Sequence, residues 1–98
     1  MTVSITKERL TALSSEGIPM GYITFPQVRA GLVNIDQVVI HPSFRGQGVA
    51  EEMMEALLRH LTKQGRRAAL TSSFAQQYLE NHPQWNHLLP GQIHFTTY

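Results

Sequence analysis

Val38-Val39-Ile40-His41-Pro42-Ser43-Phe44-Arg45-Gly46-Gln47-Gly48-Val49-Ala50-Glu51-Glu52-Met53-Met54-Glu55-Ala56-Leu57-Leu58 reads, in order, as a buried strand, a short turn, a glycine-bearing loop and an amphipathic helix. This order is a phosphate-binding layout. The first backbone N–H groups of a helix have no partner within it, and the helix macrodipole puts partial positive charge at the same end, so an anion is stabilised there. Gly46 and Gly48 remove Cβ atoms from the backbone that an anion would approach.

Residue spacing carries the helix onward. Val49, Met53, Leu57 and Leu61 form one row at spacing four, Ala50, Met54 and Leu58 the next, and Glu51, Glu52, Glu55, Arg59, Thr62 and Lys63 fall opposite. The pattern predicts a helix over 47–64 with Gly65 as its C-cap and a Glu55–Arg59 pair worth about 0.3 kcal/mol. Glu51 and Glu52 suit the dipole of the first turn but repel a bound diphosphate unless their side chains turn outward.

Upstream, Arg9-Leu10-Thr11-Ala12-Leu13 alternates and Ser14 to Pro19 supplies glycine and proline, which predicts a strand entering a hairpin that returns as Met20 to Phe25. Pro26 to Gly31 reads as a loop, and Leu32 to Ile40 as one long apolar strand. Downstream, Arg66 to Thr71 reads as a strand returning parallel to the one that ends at Ile40, with the anion loop at that strand's carboxyl end, where open sheets bind ligands. Ser72 or Ser73 is a suitable N-cap for a short helix through Glu80, which Asn81-His82-Pro83 stops. Trp85, Leu88 and Leu89 are expected to pack back on the domain. Pro90-Gly91 breaks the chain before an alternating tail, Gln92 to Tyr98, that suits an edge strand or a homodimer contact.

Length and composition bound what this scaffold can be. The 98 residues, 42% hydrophobic and 15% charged, describe one soluble domain with no room for a second. A formal net charge of +1 gives no basic field for nucleic acid, and the absence of cysteine excludes disulfides, thiolate metal sites and a thiol nucleophile. No apolar run spans a bilayer and the first eight residues lack a secretory signal, so a cytoplasmic location without membrane attachment is the expectation. His41, His60, His82, His87 and His94 match no zinc spacing, so no metal is expected.

Arg45-Gly46-Gln47-Gly48-Val49-Ala50 fits the pattern (Gln or Arg)-x-x-Gly-x-(Gly or Ala) and resembles the pyrophosphate loop of the GCN5-related N-acetyltransferases. Leu70-Thr71-Ser72-Ser73-Phe74 with Tyr78-Leu79-Glu80-Asn81-His82-Pro83-Gln84-Trp85 is similar to the small, single-domain branch of that superfamily, over residues 8–89. The resemblance implies an α/β (α+β) chain with a shortened acyl-CoA N-acyltransferase fold: a mixed, mostly antiparallel sheet, one long central helix and one short C-terminal helix. It further implies that acetyl-CoA lays its pyrophosphate on amides from Gln47 to Glu51, its arm along backbone groups of Val38, Val39 and Ile40, and its adenosine end in solvent. An acceptor amine would attack the thioester directly, so the protein positions the reactants and handles protons.

Proton handling is where the chain departs from the pattern. Members of the small branch usually carry a cysteine where Ser72 stands and often a His-Thr pair where Gln37-Val38 stands, and a serine without an activating base does not support a covalent route. Ser72 can relay a proton; Tyr78 can protonate the leaving thiolate, although it lies one position earlier than the tyrosine of larger relatives. Other readings of the same residues are a non-catalytic acyl-CoA-binding module and a loop for another phosphate ligand such as a nucleotide. His41 reads as a strand-end cap or an exposed residue rather than a base, Met53 and Met54 as core, and Arg66 and Arg67 as solvated or within reach of a coenzyme phosphate.

Overall fold

The structure, a computed structural model, describes residues 1–91. Strands β1 (Thr2–Ile5), β2 (Arg9–Leu13), β3 (Pro19–Thr24), β4 (Gln27–Arg29), β5 (Leu32–Ile35) and β6 (Gln37–Ile40) lead through a 3-10 turn at Pro42–Phe44 into helix α1 (Val49–Gln64). Strand β7 (Arg67–Leu70), helix α2 (Ser73–Asn81) and a 3-10 segment at Pro83–Leu88 follow. This is the expected α+β chain, mostly antiparallel, with one long helix and one short. The tail expected as an edge strand or dimer contact, from Gln92 to Tyr98, lies outside the described residues.

Two strands were not anticipated. β1 pairs antiparallel with β2, and β4 pairs with β5 where a loop was expected. Both are short and carry mostly exposed side chains, so neither shows the in-and-out alternation that reveals a half-buried strand.

The stretch from Leu32 to Ile40 is not one strand. Asp36 N donates to Thr24 O at 3.2 Å and Gln37 pairs with the same Thr24, so two residues oppose one in a β-bulge. The Thr24 hydroxyl donates to the Asp36 carboxylate and pins the bulge. Its consequence is a switch of sheet. β6 closes the order β1-β2-β3-β6, whereas β5 lies between β4 and β7. The parallel partner of β7 is therefore β5, the first half of the expected strand, ending with Ile35 against Leu70. Beyond that pair, β6 and the chain leaving β7 separate.

Opposed pairs place Leu10, Ala12, Gly21, Ile23, Val38 and Ile40 on one face of the first sheet. Against this face α1 buries Val49, Met53, Met54, Leu57, Leu58 and Leu61. Each such side chain contributes roughly 1.5–3 kcal/mol on leaving water. Gly21 is required by close approach: a Cβ there would lie 2.5 Å from Val39 O and 2.9 Å from Ile40 Cδ1. The helix ends as expected, with Gly65 N bonded to Thr62 O, and Glu55 pairs with Arg59 at 2.6 Å. Leu88 is buried, with Trp85 and Leu89 packed against the core.

Candidate functional site

α1 begins at Val49 rather than Gln47, because Gly48 takes the left-handed conformation (φ 78°) and stands as the N-cap. A non-glycine residue pays roughly 1–2 kcal/mol for that conformation. Gly48 brings no capping side chain, and no other residue supplies one. Among the described residues, the backbone amides of Gly46, Gln47, Gly48, Val49, Ala50 and Glu51 donate to no protein acceptor; the first amide of this end to find a partner is Glu52 N, bonded to Gly48 O at 3.1 Å. The result is a row of free donors at the positive end of a 16-residue helix.

These donors open onto a groove of about 410 Å³ whose walls include Val38 and Ile40 of β6, Phe44 and Arg45 of the turn, and Phe74 of α2. The β6 wall is a strand edge with backbone groups to offer. His41 N donates to Met20 O at 2.8 Å, and bonded and non-bonded pairs alternate along an antiparallel ladder. Gly21–Ile40 and Ile23–Val38 are therefore the non-bonded pairs, and Val38 and Ile40 turn their N–H and C=O groups away from β3, into the gap opened by the bulge. An extended ligand with amides of its own could pair there as a strand would. Val39 has the opposite phase: its backbone groups face Tyr22, and its side chain lies on the far face.

The structure brings Val38, Ile40, Arg45, Gly46, Gly48, Val49 and Ala50 to one groove. Gln47 does not line it, and its side-chain amide turns back toward Ser43 O at 3.4 Å. Arg45 stands at the mouth as an exposed cation. Arg66 is held elsewhere by Lys7 O and Gln64 Oε1.

Ser72 and Tyr78 do not border this groove. Ser72 is buried and its Oγ accepts from Ala75 N at 3.2 Å, which makes it the N-cap of α2. Tyr78 lines a second hollow of about 270 Å³ with Glu51, Phe74, Gln77, Asn81 and His82, and the two spaces meet at Glu51 and Phe74. Burial, reinforced by the negative charges of Glu55 and Glu51, pushes the Tyr78 phenol above its ordinary range, so it keeps its proton at neutral pH.

Sequence reasoning missed His82 beyond its role in stopping the helix. Its ring stacks on Tyr78 with centroids 3.9 Å apart and planes 13° apart, and its Nδ1 lies 2.7 Å from Tyr78 O. A carbonyl can only accept, so Nδ1 carries the proton. The spacing Phe74, Tyr78, His82 is an i, i+4, i+8 row on a short helix and could have been read as a ring ladder. His41 caps the Pro42–Phe44 turn, Nδ1 accepting from Ser43 N at 3.1 Å. Among the described residues no group of His, Asp or Glu is placed to hold a metal ion, and no helix is long and apolar enough to cross a membrane.

Comparison with known proteins gives this geometry a lineage. Among curated proteins no sequence matches the chain. The fold matches the NMR solution structure of a GCN5-like protein from Staphylococcus aureus at TM-score 0.73 and 21% identity, over 99% of this chain and 95% of that one. It also matches a Mycobacterium tuberculosis protein in complex with CoA (TM-score 0.63, 18% identity, 79% of this chain and 48% of that one). A third match is a GNAT family N-acetyltransferase from Escherichia coli, also in complex with CoA (TM-score 0.61, 24% identity, 76% and 47%). The chain thus spans nearly all of the first structure and about half of the other two, and at these identities the likeness establishes the fold. The model of the GCN5-related N-acetyl-transferase family matches residues 10–88, and this chain belongs to that family.

Proposed function

We propose that the chain is an N-acetyltransferase that binds acetyl-CoA in the groove between β6 and α2 and transfers the acetyl group to an amine by direct attack in a ternary complex. Free amides from Gly46 to Glu51 at the mouth of a groove with an unpaired strand edge carry this reading. They match a diphosphate followed by an amide-bearing arm. Family membership and CoA in two structural relatives support it.

Acetyl-CoA supplies the activated acyl carbon. The chain's own residues bind and orient. Loop amides hold the diphosphate, Arg45 adds a charge at the mouth, and the β6 edge at Val38 and Ile40 aligns the arm so that an N–H can polarise the acyl oxygen as charge develops on it. Without cysteine, and with Ser72 engaged as a helix cap, the reaction needs no protein nucleophile.

The acceptor meets the opposite face of the sheet. There a hollow of about 460 Å³, lined by residues that include Met20, Tyr22, Val39 and Pro42, stays open because a short turn, Ser14 to Ile18, joins β2 to β3. An open, apolar face suits a chain end or a lysine on a protein better than a small metabolite that needs enclosure.

Thiol release from acetyl-CoA, followed across amines that include peptide N-termini and lysine peptides, tests the proposal. Turnover above buffer with one class of amine is the expected result. The second reading, a non-catalytic acyl-CoA-binding module, is favoured by the position of Ser72 and Tyr78 away from the groove; tight binding of acetyl-CoA with no turnover for any amine would select it.

A further inference from the structure

The open face of the sheet carries a charge that acetyl transfer itself does not call for. Arg9 stands on it in β2, opposite Thr24 and beside the cross-strand row Thr11, Tyr22 and Val39. Its guanidinium lies over the Tyr22 ring, 4.0 Å from the centroid. Stacking of this kind occupies the flat side of the group and leaves its five N–H donors, which lie in its plane, for another partner. Among the described residues the Glu55–Arg59 pair is the only salt bridge, so no carboxylate neutralises Arg9. Asp36, whose carboxylate shares this neighbourhood, is engaged by the Thr24 hydroxyl instead.

The walls around Arg9 specify what it is placed to meet. The hollow of about 460 Å³ that it borders is otherwise mostly apolar, with Val39 left 38% exposed, and its lining holds no carboxylate. His41, also in the lining, accepts from Ser43 N through Nδ1, so in the neutral ring Nε2 carries the proton and is a donor. Apolar contact, a cation and a ring donor are therefore on offer, and no negative charge. Such walls draw in an acidic segment and repel a basic one. Position follows from the ladder. The ring that carries the guanidinium belongs to β3, one strand spacing of roughly 4.8 Å from β6. At about 3.3 Å per extended residue, a segment whose amine enters the gap beside β6 brings its second or third residue over Arg9.

We propose that the acceptor is an acidic peptide segment, read by Arg9 through a carboxylate two or three residues from the amine while an apolar side chain covers Val39. This rests on the proposed function and deepens it: Arg9 is a specificity residue, and the charge beside the amine selects the acceptor.

Kinetics of acetyl transfer by the full chain to peptides of one sequence, with Glu, Gln or Lys at the second and third positions from the acceptor amine, test it. Each peptide is offered with a free N-terminus and, separately, with a blocked N-terminus and a lysine acceptor, so the source of the amine is read in the same series. Whichever amine reacts, kcat/KM is expected to be about tenfold higher for the Glu peptide than for the Gln peptide, through KM, and lowest for the Lys peptide, with the gap narrowing as ionic strength rises. Arg9→Gln should bring the Glu and Gln peptides level, and Arg9→Glu should reverse the order in favour of Lys; coenzyme A affinity, read by calorimetry, reports that both variants are folded. Equal kcat/KM for the Glu and Gln peptides in wild type, a preference that survives Arg9→Gln, or turnover confined to small amines overturns the acidic acceptor while acetyl transfer stands. Coenzyme A binding with no turnover of any amine overturns both.

Discussion

Two helices in this molecule start at the carboxyl end of a strand, and they start differently. At α2 the serine before the helix turns its hydroxyl back on Ala75 N, and Ser72 N and Thr71 N both reach Ile35 O. At α1 the residue before the helix is a glycine with φ 78°, no side chain caps the end, and among the described residues the amides from Gly46 to Glu51 find no acceptor. The protein caps one helix start with its own side chain and leaves the other without a cap. Helix starts are alike in dipole and in unpaired donors, so the difference lies in the residues placed before them. On the proposed reading, the missing cap marks the anion site as much as the glycines do.

This contrast can be broken by substitution at either end. The largest effect is expected at Gly48→Val: a β-branched side chain cannot take the left-handed cap conformation without strain, and it would stand among the anion donors. Calorimetry should then show coenzyme A affinity down by about a hundredfold or more, the range set by losing several charge-assisted hydrogen bonds. Affinity within twofold of wild type would mean that the open end of α1 is not the site.

Arg45→Ala should weaken coenzyme A by about three- to tenfold at low salt, as for one exposed cation facing a diphosphate, and the gap to wild type should narrow as ionic strength rises. A salt-independent loss would point to a change in loop shape instead. At the satisfied end, Ser72→Ala should lower unfolding stability by about 1 kcal/mol in a denaturant titration and leave coenzyme A affinity unchanged. A large drop in turnover without loss of stability would restore Ser72 as a proton relay.

The smallest effect concerns Tyr78. Its proton is held more tightly in the folded chain than in the unfolded chain, by burial first and then by Glu55 and Glu51. Above about pH 10 the unfolded state releases this proton while the folded state retains it, so this residue makes stability fall as pH rises. Thermal unfolding followed from neutral to alkaline pH should decline less steeply in Tyr78→Phe. Identical slopes would mean that the phenol is no more buried than a model tyrosine.

Legibility in the sequence followed the strength of local signals. The rows Val49, Met53, Leu57, Leu61 and Met54, Leu58 gave the buried face of α1, and Gly65 and Ser72 gave caps that the structure reproduces. β1 and β4 were illegible because short, exposed strands leave no alternation. The bulge at Asp36 did leave a trace. Val33 and Ile35 are the inward apolar residues before it and Val38 and Ile40 after it, so the parity changes across Asp36-Gln37. A reading as one strand hides that change, and with it the gap that the proposed coenzyme arm would enter. Tyr78 was read for its acidity, and its ring partners at spacing four went unread.

The proposed function requires that an anion be held by main-chain donors the protein does not use. Amide nitrogen–proton spectra recorded while coenzyme A is added test it most directly. The largest shifts are expected at Gly46, Gly48, Val49 and Ala50, with smaller ones at Phe74, which borders the groove, and hardly any at Ala75, whose amide already donates to Ser72 Oγ. No shift at the first set under saturating coenzyme A, or shifts of equal size at both helix starts, would contradict it.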